Sequence, residues 1–261
     1  MKKLVIILSL MFLCIKPVIG SSVYFYVPEA NINNYISLKN MFIEYLSSYG
    51  DYNVQPFNKK EIFEKALQNK RDGIFIMSSW QFKNLRKKYN LKPYLVMLDL
   101  ENTNITKEVL IVYKNMTPEK FLKGGAIASS RDKKYVKSIL KNIFKGRDIS
   151  KIRVINVPRD MDALMSVGFG MAHCSLVLAD NLEILKKINP NFFSEIKKIG
   201  EGDKMLRPLV VATKNSKVDI ENIIAILEGM GKDPKSKALR QFIGFSTWKK
   251  LTDNDYELLL K

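Results

Sequence analysis

A chain of 261 residues, 46% apolar and 26% charged, has room for one large domain or for two lobes, each with its own core. Two Cys and one His exclude a zinc cluster, an iron–sulfur centre or a multiply ligated haem, and 13 Gly with 9 Pro exclude collagen and low complexity. The formal charge is +17, yet only eight of the 43 basic residues are Arg, and no long basic run or aromatic–basic stacking motif occurs. That argues against nucleic acid and leaves two readings, a Lys-rich solvated surface or a field that attracts an anionic ligand.

The chain opens with Lys2-Lys3, an apolar run from Leu4 to Ile15, and Val18 and Gly20 at the small-residue positions a signal peptidase requires. The run is too short to span a bilayer. Residues 1–20 therefore read as a cleaved signal peptide, with an uncleaved anchor or a lipoprotein signal at Cys14 as the alternatives, and the protein as periplasmic or secreted. Removing them also removes Cys14, which leaves Cys174 as the one thiol and no internal disulfide.

Strands and helices then alternate. Ser22 to Val27 is β-rich and ends at Pro28. Ile32 to Ser48 has helical spacing. Tyr52–Phe57, Gly73–Met77, Tyr94–Leu100 and Val109–Tyr113 read as strands. Lys59–Asn69 reads as a helix, and a further one after Ser78-Ser79 runs to Tyr89. Thr117-Pro118-Glu119 is a helix start with Pro in the first turn. The order repeats: strand Gly125–Ala128 with a helix to Phe144, strand Ile152–Val157 with a helix to Val167, strand His173–Leu178 with a helix to Ile188, and strand Leu209–Thr213. Terminal helices are expected at Asp219–Leu227, Lys235–Phe242 and Thr252–Leu260. Such alternation predicts α/β lobes with mostly parallel sheets flanked by helices. Ligands in such sheets sit beyond the carboxyl ends of the strands, where helix N-termini carry partial positive charge.

Four stretches resemble one family. Asn69-Lys70-Arg71-Asp72-Gly73-Ile74, followed by Met77-Ser78-Ser79-Trp80, is similar to its first-lobe helix-to-strand step. Leu122-Lys123-Gly124-Gly125-Ala126-Ile127-Ala128-Ser129-Ser130 is similar to the opening of its second lobe. Met161-Asp162-Ala163-Leu164 through Gly170-Met171-Ala172-His173-Cys174 resembles that lobe's repeat of the step, and Phe245 to Tyr256 the C-terminal tail. The family is the periplasmic substrate-binding proteins of ABC importers, type 2, closest to the phosphonate, phosphite and phosphate binders. The chain departs from it in three places: Ser129-Ser130-Arg131-Asp132 stands where phosphonate binders have Ser-Thr-Ser-Gly, His173 stands for the second-lobe Asp, and Asn69 for the first-lobe Gly.

The resemblance implies a two-lobed type 2 fold. Residues 21–108 plus 209–261 would form lobe one and 109–208 lobe two, with hinge strands near 109–114 and 207–213. It also implies a monomer that captures a small anion, a phosphonate- or phosphate-like oxyanion, and delivers it to an ABC permease in the membrane. The alternatives are an extracytoplasmic sensory module signalling to a membrane receptor or kinase, and an exported enzyme on the same scaffold. No cofactor, metal or catalytic residue is expected, because no Gly-x-Ser-x-Gly, P-loop, dinucleotide fingerprint or His-Glu-x-x-His motif occurs.

Candidate ligand-binding residues follow from strand ends and helix starts, each with a structural alternative. Ser78 and Ser79 in lobe one, and Ser129, Ser130 and Arg131 in lobe two, are oxyanion donors or helix caps. Trp80 stacks on a ligand or packs at the hinge, and Tyr26 lines the cleft or the core. Arg159 is an anion clamp or surface residue, and Asp160 a ligand contact or cap. His173 is a ligand contact or a satisfied core histidine. Cys174 reads as a small buried hydrophobe, since strand neighbours point to opposite faces and the pair cannot share a proton.

Overall fold

The computed structural model describes residues 21–69, 72–216 and 218–260. The expected signal peptide at residues 1–20 lies outside them, as do Lys70 and Arg71 of the first-lobe motif.

Two sheets form the molecule. The first is six-stranded, built from β1 (Ser21–Tyr26), β2 (Tyr52–Pro56), β3 (Ile74–Met77), β4 (Leu91–Leu98), β10 (Leu209–Thr213) and β11 (Thr247–Lys250) in the order β11-β4-β10-β3-β1-β2. The second has five strands in the order β7-β6-β8-β5-β9: β5 (Ile105–Tyr113), β6 (Ala126–Ser129), β7 (Arg153–Asn156), β8 (Cys174–Leu178) and β9 (Ile196–Leu206). The chain crosses between the sheets at residues 99–104 and returns at Arg207-Pro208.

Each sheet is mixed. β1, β2 and β3 run parallel, as do β6, β7 and β8, which is the expectation from strand–helix alternation. β10 is antiparallel to β3 and β4, and β5 to β8 and β9, because strands that enter from the other lobe arrive from the opposite end.

Alternation in the strands sends side chains to both faces. Val23 and Phe25 of β1 with Ile74 and Ile76 of β3 join one core, which α1 (Tyr35–Leu46), α9 (Ile220–Gly229) and α10 (Lys237–Ile243) cover. Tyr24, Tyr26, Phe75 and Met77 join the other, under α2 (Lys60–Asn69), α3 (Ser79–Tyr89) and α11 (Asp253–Leu260). The second sheet is likewise sandwiched. α6 (Asp160–Gly168), α7 (Asp180–Ile188) and α8 (Pro190–Glu195) cover one face, and α4 (Pro118–Leu122) and α5 (Lys133–Ile143) the other. Two motif glycines are steric necessities. A Cβ on Gly73 would lie 2.6 Å from the Tyr24 ring, and one on Gly125 2.8 Å from the Phe121 carbonyl oxygen.

Three elements escape the apolar pattern. β9 (Ile-Lys-Lys-Ile-Gly-Glu-Gly-Asp-Lys-Met-Leu) and β11 are edge strands rich in Lys, a composition that protects sheet edges and hides them from a hydrophobicity reading. α8 is a six-residue helix that starts at Pro190, with Asn189 accepting the Phe192 N–H.

Candidate functional site

The carboxyl ends of the central strands of both sheets meet across one cleft. After β1, the turn Pro28–Ala30 places Glu29 there and ends on Asn31 in the left-handed region (φ 54°), a conformation that Asn tolerates. After β3 come Ser78, Ser79 and Trp80; after β6, Ser130 and Arg131; at the start of α6, Asp160; after β8, Asn181 on α7.

The side chains form a buried polar cluster. On the first lobe, Ser78 Oγ donates to Glu29 Oε2 at 2.6 Å and Trp80 Nε1 donates to Glu29 Oε1 at 2.9 Å. On the second, Arg131 Nε donates to Glu108 Oε1 at 2.8 Å, and Tyr135 Oη donates to Glu108 Oε2 at 3.0 Å. Arg131 Nη1 donates to Ser130 Oγ at 2.9 Å and to Asp160 Oδ1. Ser130 Oγ donates to Asp160 Oδ1 at 2.6 Å, while Asp160 Oδ2 accepts from Leu178 N at 2.8 Å and Asn181 Nδ2 at 3.0 Å. Arg131 and Asp160 are fully buried and Glu108 nearly so. Among the buried side-chain donors with no partner in the described residues, two lie at this cluster, Arg131 Nη2 and Gln81 Nε2.

The lobes touch through several of these groups. Asn31 Nδ2 donates to Asn181 Oδ1 at 2.7 Å and its Oδ1 accepts the Met161 N–H at 2.9 Å. Lys60, the first residue of α2, pairs with Asp132 before α5 at 3.1 Å. Trp80 packs against Tyr135 in a tilted pair with centroids 5.2 Å apart. At the crossovers, Arg207 pairs with both Asp99 and Asp180.

Three carboxylates share the cluster with one guanidinium, and burial shifts the protonation of two of them, Glu108 and Glu29. Burial pushes the Glu108 carboxyl up to about 7, against the pull of Arg131 and the Tyr135 hydroxyl. Burial also raises Glu29, opposed by Arg131 and reinforced by Asp160. Burial works against the charge of Arg131, but Asp160, Glu108 and Glu29 together outweigh it and hold the guanidinium protonated.

Two cavities flank the cluster. One of about 470 Å³ is lined by Trp80, Glu108 and Tyr135 on its cleft side and by Lys83 and Asp203 further out. The other, about 440 Å³, lies against Tyr26, Ser130, Asp132 and Asn156, with Lys59, Lys60 and Lys133 around it.

The sequence-derived candidates divide. Ser78, Trp80, Ser130, Arg131 and Asp160 meet in the cluster. Tyr26 reaches the second cavity but packs its ring on Phe63 at 5.4 Å. Ser79 Oγ donates to the Leu206 carbonyl, and Ser129 Oγ to the Leu176 carbonyl, so both serve the backbone. Arg159 sits at the rim in a two-pronged pair with Asp162 (2.8 and 2.7 Å). His173 does not reach the cleft and is not a core residue. It is exposed just before β8, with Nδ1 accepting the Ala126 N–H at 3.0 Å. The strand's length of roughly 16 Å then separates it from the carboxyl end. Cys174 is buried and its thiol is raised by burial, which suits a packing role. Among the described residues, no group of His, Cys, Asp and Glu side chains is placed to hold a metal ion.

Sequence reasoning missed Glu29, Asn31, Glu108, Tyr135 and Asn181. Glu29 and Asn181 carried a signal, since each lies within three residues of a strand end, where the cleft rule places ligand-facing groups. Glu108 precedes a buried strand run and Tyr135 sits within a helix, so neither had one.

No family model matches the chain, and no curated protein matches it. Solved structures do. XAC2383 from Xanthomonas citri, bound to ATP, shares 12% identity at a TM-score of 0.71, over 92% of this chain and 95% of that one. A binding-protein component of an ABC phosphonate transporter from Pseudomonas aeruginosa shares 11% at 0.71, over 90% and 83%. PhnD1 from Prochlorococcus marinus in complex with methylphosphonate shares 13% at 0.67, over 91% and 94%. The likeness defines the fold as that of the two-lobed type 2 periplasmic binding proteins.

Proposed function

We propose that the protein is an exported solute-binding protein that holds a small polar solute between its lobes and presents it to an ABC permease. The observation that carries this reading is the convergence of strand ends from both lobes on one buried polar cluster with cavities on either side. Closure of two lobes about crossover segments is the motion such proteins use. Residues 99–104 and Arg207-Pro208 are the segments on which this one would turn. Binding rather than catalysis fits the neighbours, which are binding proteins. Among the described residues no helix is long and apolar enough to cross a membrane.

The phosphonate- or phosphate-like oxyanion that the sequence resemblance implies is the weaker choice of ligand. Its intended donors are engaged, Ser78 by Glu29 and Ser130 by Asp160, and the cluster holds three carboxylates against one guanidinium. A solute with a positively charged group for those carboxylates and one acceptor for Arg131 Nη2 matches the cleft better. The aromatic pair Trp80 and Tyr135 would form one wall beside it.

Isothermal titration of the protein without residues 1–20 tests this. One panel holds phosphate, phosphite, methylphosphonate and sulfate; the other holds amino acids, amino alcohols and guanidines. Saturable heat is expected from the second panel. Silence from both would remove the solute-binding reading, and heat from the first alone would restore the oxyanion.

A further inference from the structure

Each lobe offers one seat for an anion at the carboxyl ends of its strands, and a carboxylate of the chain itself sits in each. In the second lobe, Asp160 takes the Ser130 hydroxyl, Arg131 Nη1, the Leu178 N–H and the Asn181 amide. In the first, Glu29 takes both side-chain donors of the start of α3, Ser78 Oγ at 2.6 Å and Trp80 Nε1 at 2.9 Å. Gln81 holds its amide beside them: Oε1 accepts the Ser78 N–H at 3.4 Å, and Nε2 is buried with no partner among the described residues. Glu29 is 7% exposed.

Building on the cleft as the solute site, we propose that Glu29 is an internal ligand. Its carboxylate occupies the first-lobe anion seat, shuts it to free oxyanions and carboxylates, and so determines which solutes the cleft accepts. A free anion would compete with a carboxylate tethered in place, whose effective concentration is set by a turn of three residues. It would also enter a cluster in which Asp160 already pairs with Arg131. Truncating Glu29 would leave two buried donors without an acceptor, which is costly, together with a void of the size and polarity of a small carboxylate. The vacated seat would then take formate or acetate from solution.

The chain's two Trp make the test direct, because Trp80 is at the seat and Trp248 is packed on Phe245 in the first-lobe core. Intrinsic fluorescence of Glu29→Ala, titrated with sodium formate and sodium acetate, should change saturably at millimolar concentration. Wild type and Glu29→Gln, whose seats stay filled, should respond at least about 10-fold more weakly. Adding Trp80→Phe to Glu29→Ala should abolish the signal. A folded Glu29→Ala protein that ignores both anions overturns the proposal. So does a wild-type protein that binds formate, acetate or phosphate as tightly as the variant. If Glu29→Ala does not fold, Glu29→Ser, which keeps a hydroxyl for Ser78, takes its place, and the wild-type titrations decide independently. The outcome is separable from the solute reading: acetate binding by Glu29→Ala alongside wild-type silence toward amines and zwitterions would sink that reading and leave the internal ligand standing.

Discussion

Trp80 and Tyr135 face each other from different lobes with ring centroids 5.2 Å apart, and the same indole donates Nε1–H to Glu29 at 2.9 Å. One side chain thus joins the lobes by a tilted ring contact and holds the buried Glu29 carboxyl group. Trp80→Phe keeps the ring contact and drops the hydrogen bond, at an expected cost of about 1.5–3 kcal/mol. Trp80→Ala removes both and is expected to cost about 3–5 kcal/mol. Urea unfolding of the two variants checks this: a Trp80→Phe variant as stable as wild type would mean that the hydrogen bond contributes nothing, and equal costs for the two variants would mean the same of the ring contact.

Arg131 is the one cation in contact with Glu108 and Asp160 among the described residues. Arg131→Met leaves both carboxylates buried without a counter-charge and should destabilise by about 3–5 kcal/mol. Adding Glu108→Gln should recover part of that loss, because it removes one of the stranded charges. A double variant less stable than the single one would contradict this electrostatic account.

Glu108 carries a pH signature. Its carboxyl is raised from 4.5 to about 7, so the folded protein binds a proton there that the unfolded chain releases. Its stabilising contribution is complete below pH 4.5 and is lost as pH rises through 7, a change of about 3 kcal/mol for this group alone. The raised Glu29 carboxyl acts in the same direction. Stability from denaturant midpoints between pH 5 and pH 8 should fall with rising pH in wild type, and the slope should flatten in Glu108→Gln. An identical slope in both proteins would refute the assignment to Glu108.

Gly125 has no room for a side chain, since a Cβ would lie 2.6 Å from Phe121 Cδ2 and 2.8 Å from the Phe121 carbonyl oxygen. The oxygen is backbone and cannot swing aside, so Gly125→Ala should cost about 1–3 kcal/mol by overpacking. The thermal midpoint reads this out, and an unchanged midpoint would mean that the β6 entrance relaxes freely.

Strand–helix alternation in the sequence already determined the α/β class, the two-sheet architecture and most helices. Buried strands such as Ile74–Met77 and amphipathic helices such as Lys133–Ile143 declare themselves by composition and period. The edge strands β9 and β11 did not, because one side of an edge strand faces water and its sequence is free to be polar. Strand ends likewise pointed to Ser78, Trp80, Ser130, Arg131 and Asp160. The sequence could not reveal that Ser78 and Ser130 would spend their hydroxyls on Glu29 and Asp160. Those partners lie 49 and 30 residues away, and only the folded sheets bring the strand ends together. Local pattern fixes where each lobe presents polar groups, because period and capping are short-range effects. The charge of the cleft is a long-range sum over Glu29, Glu108, Arg131 and Asp160, and tertiary structure alone decided it.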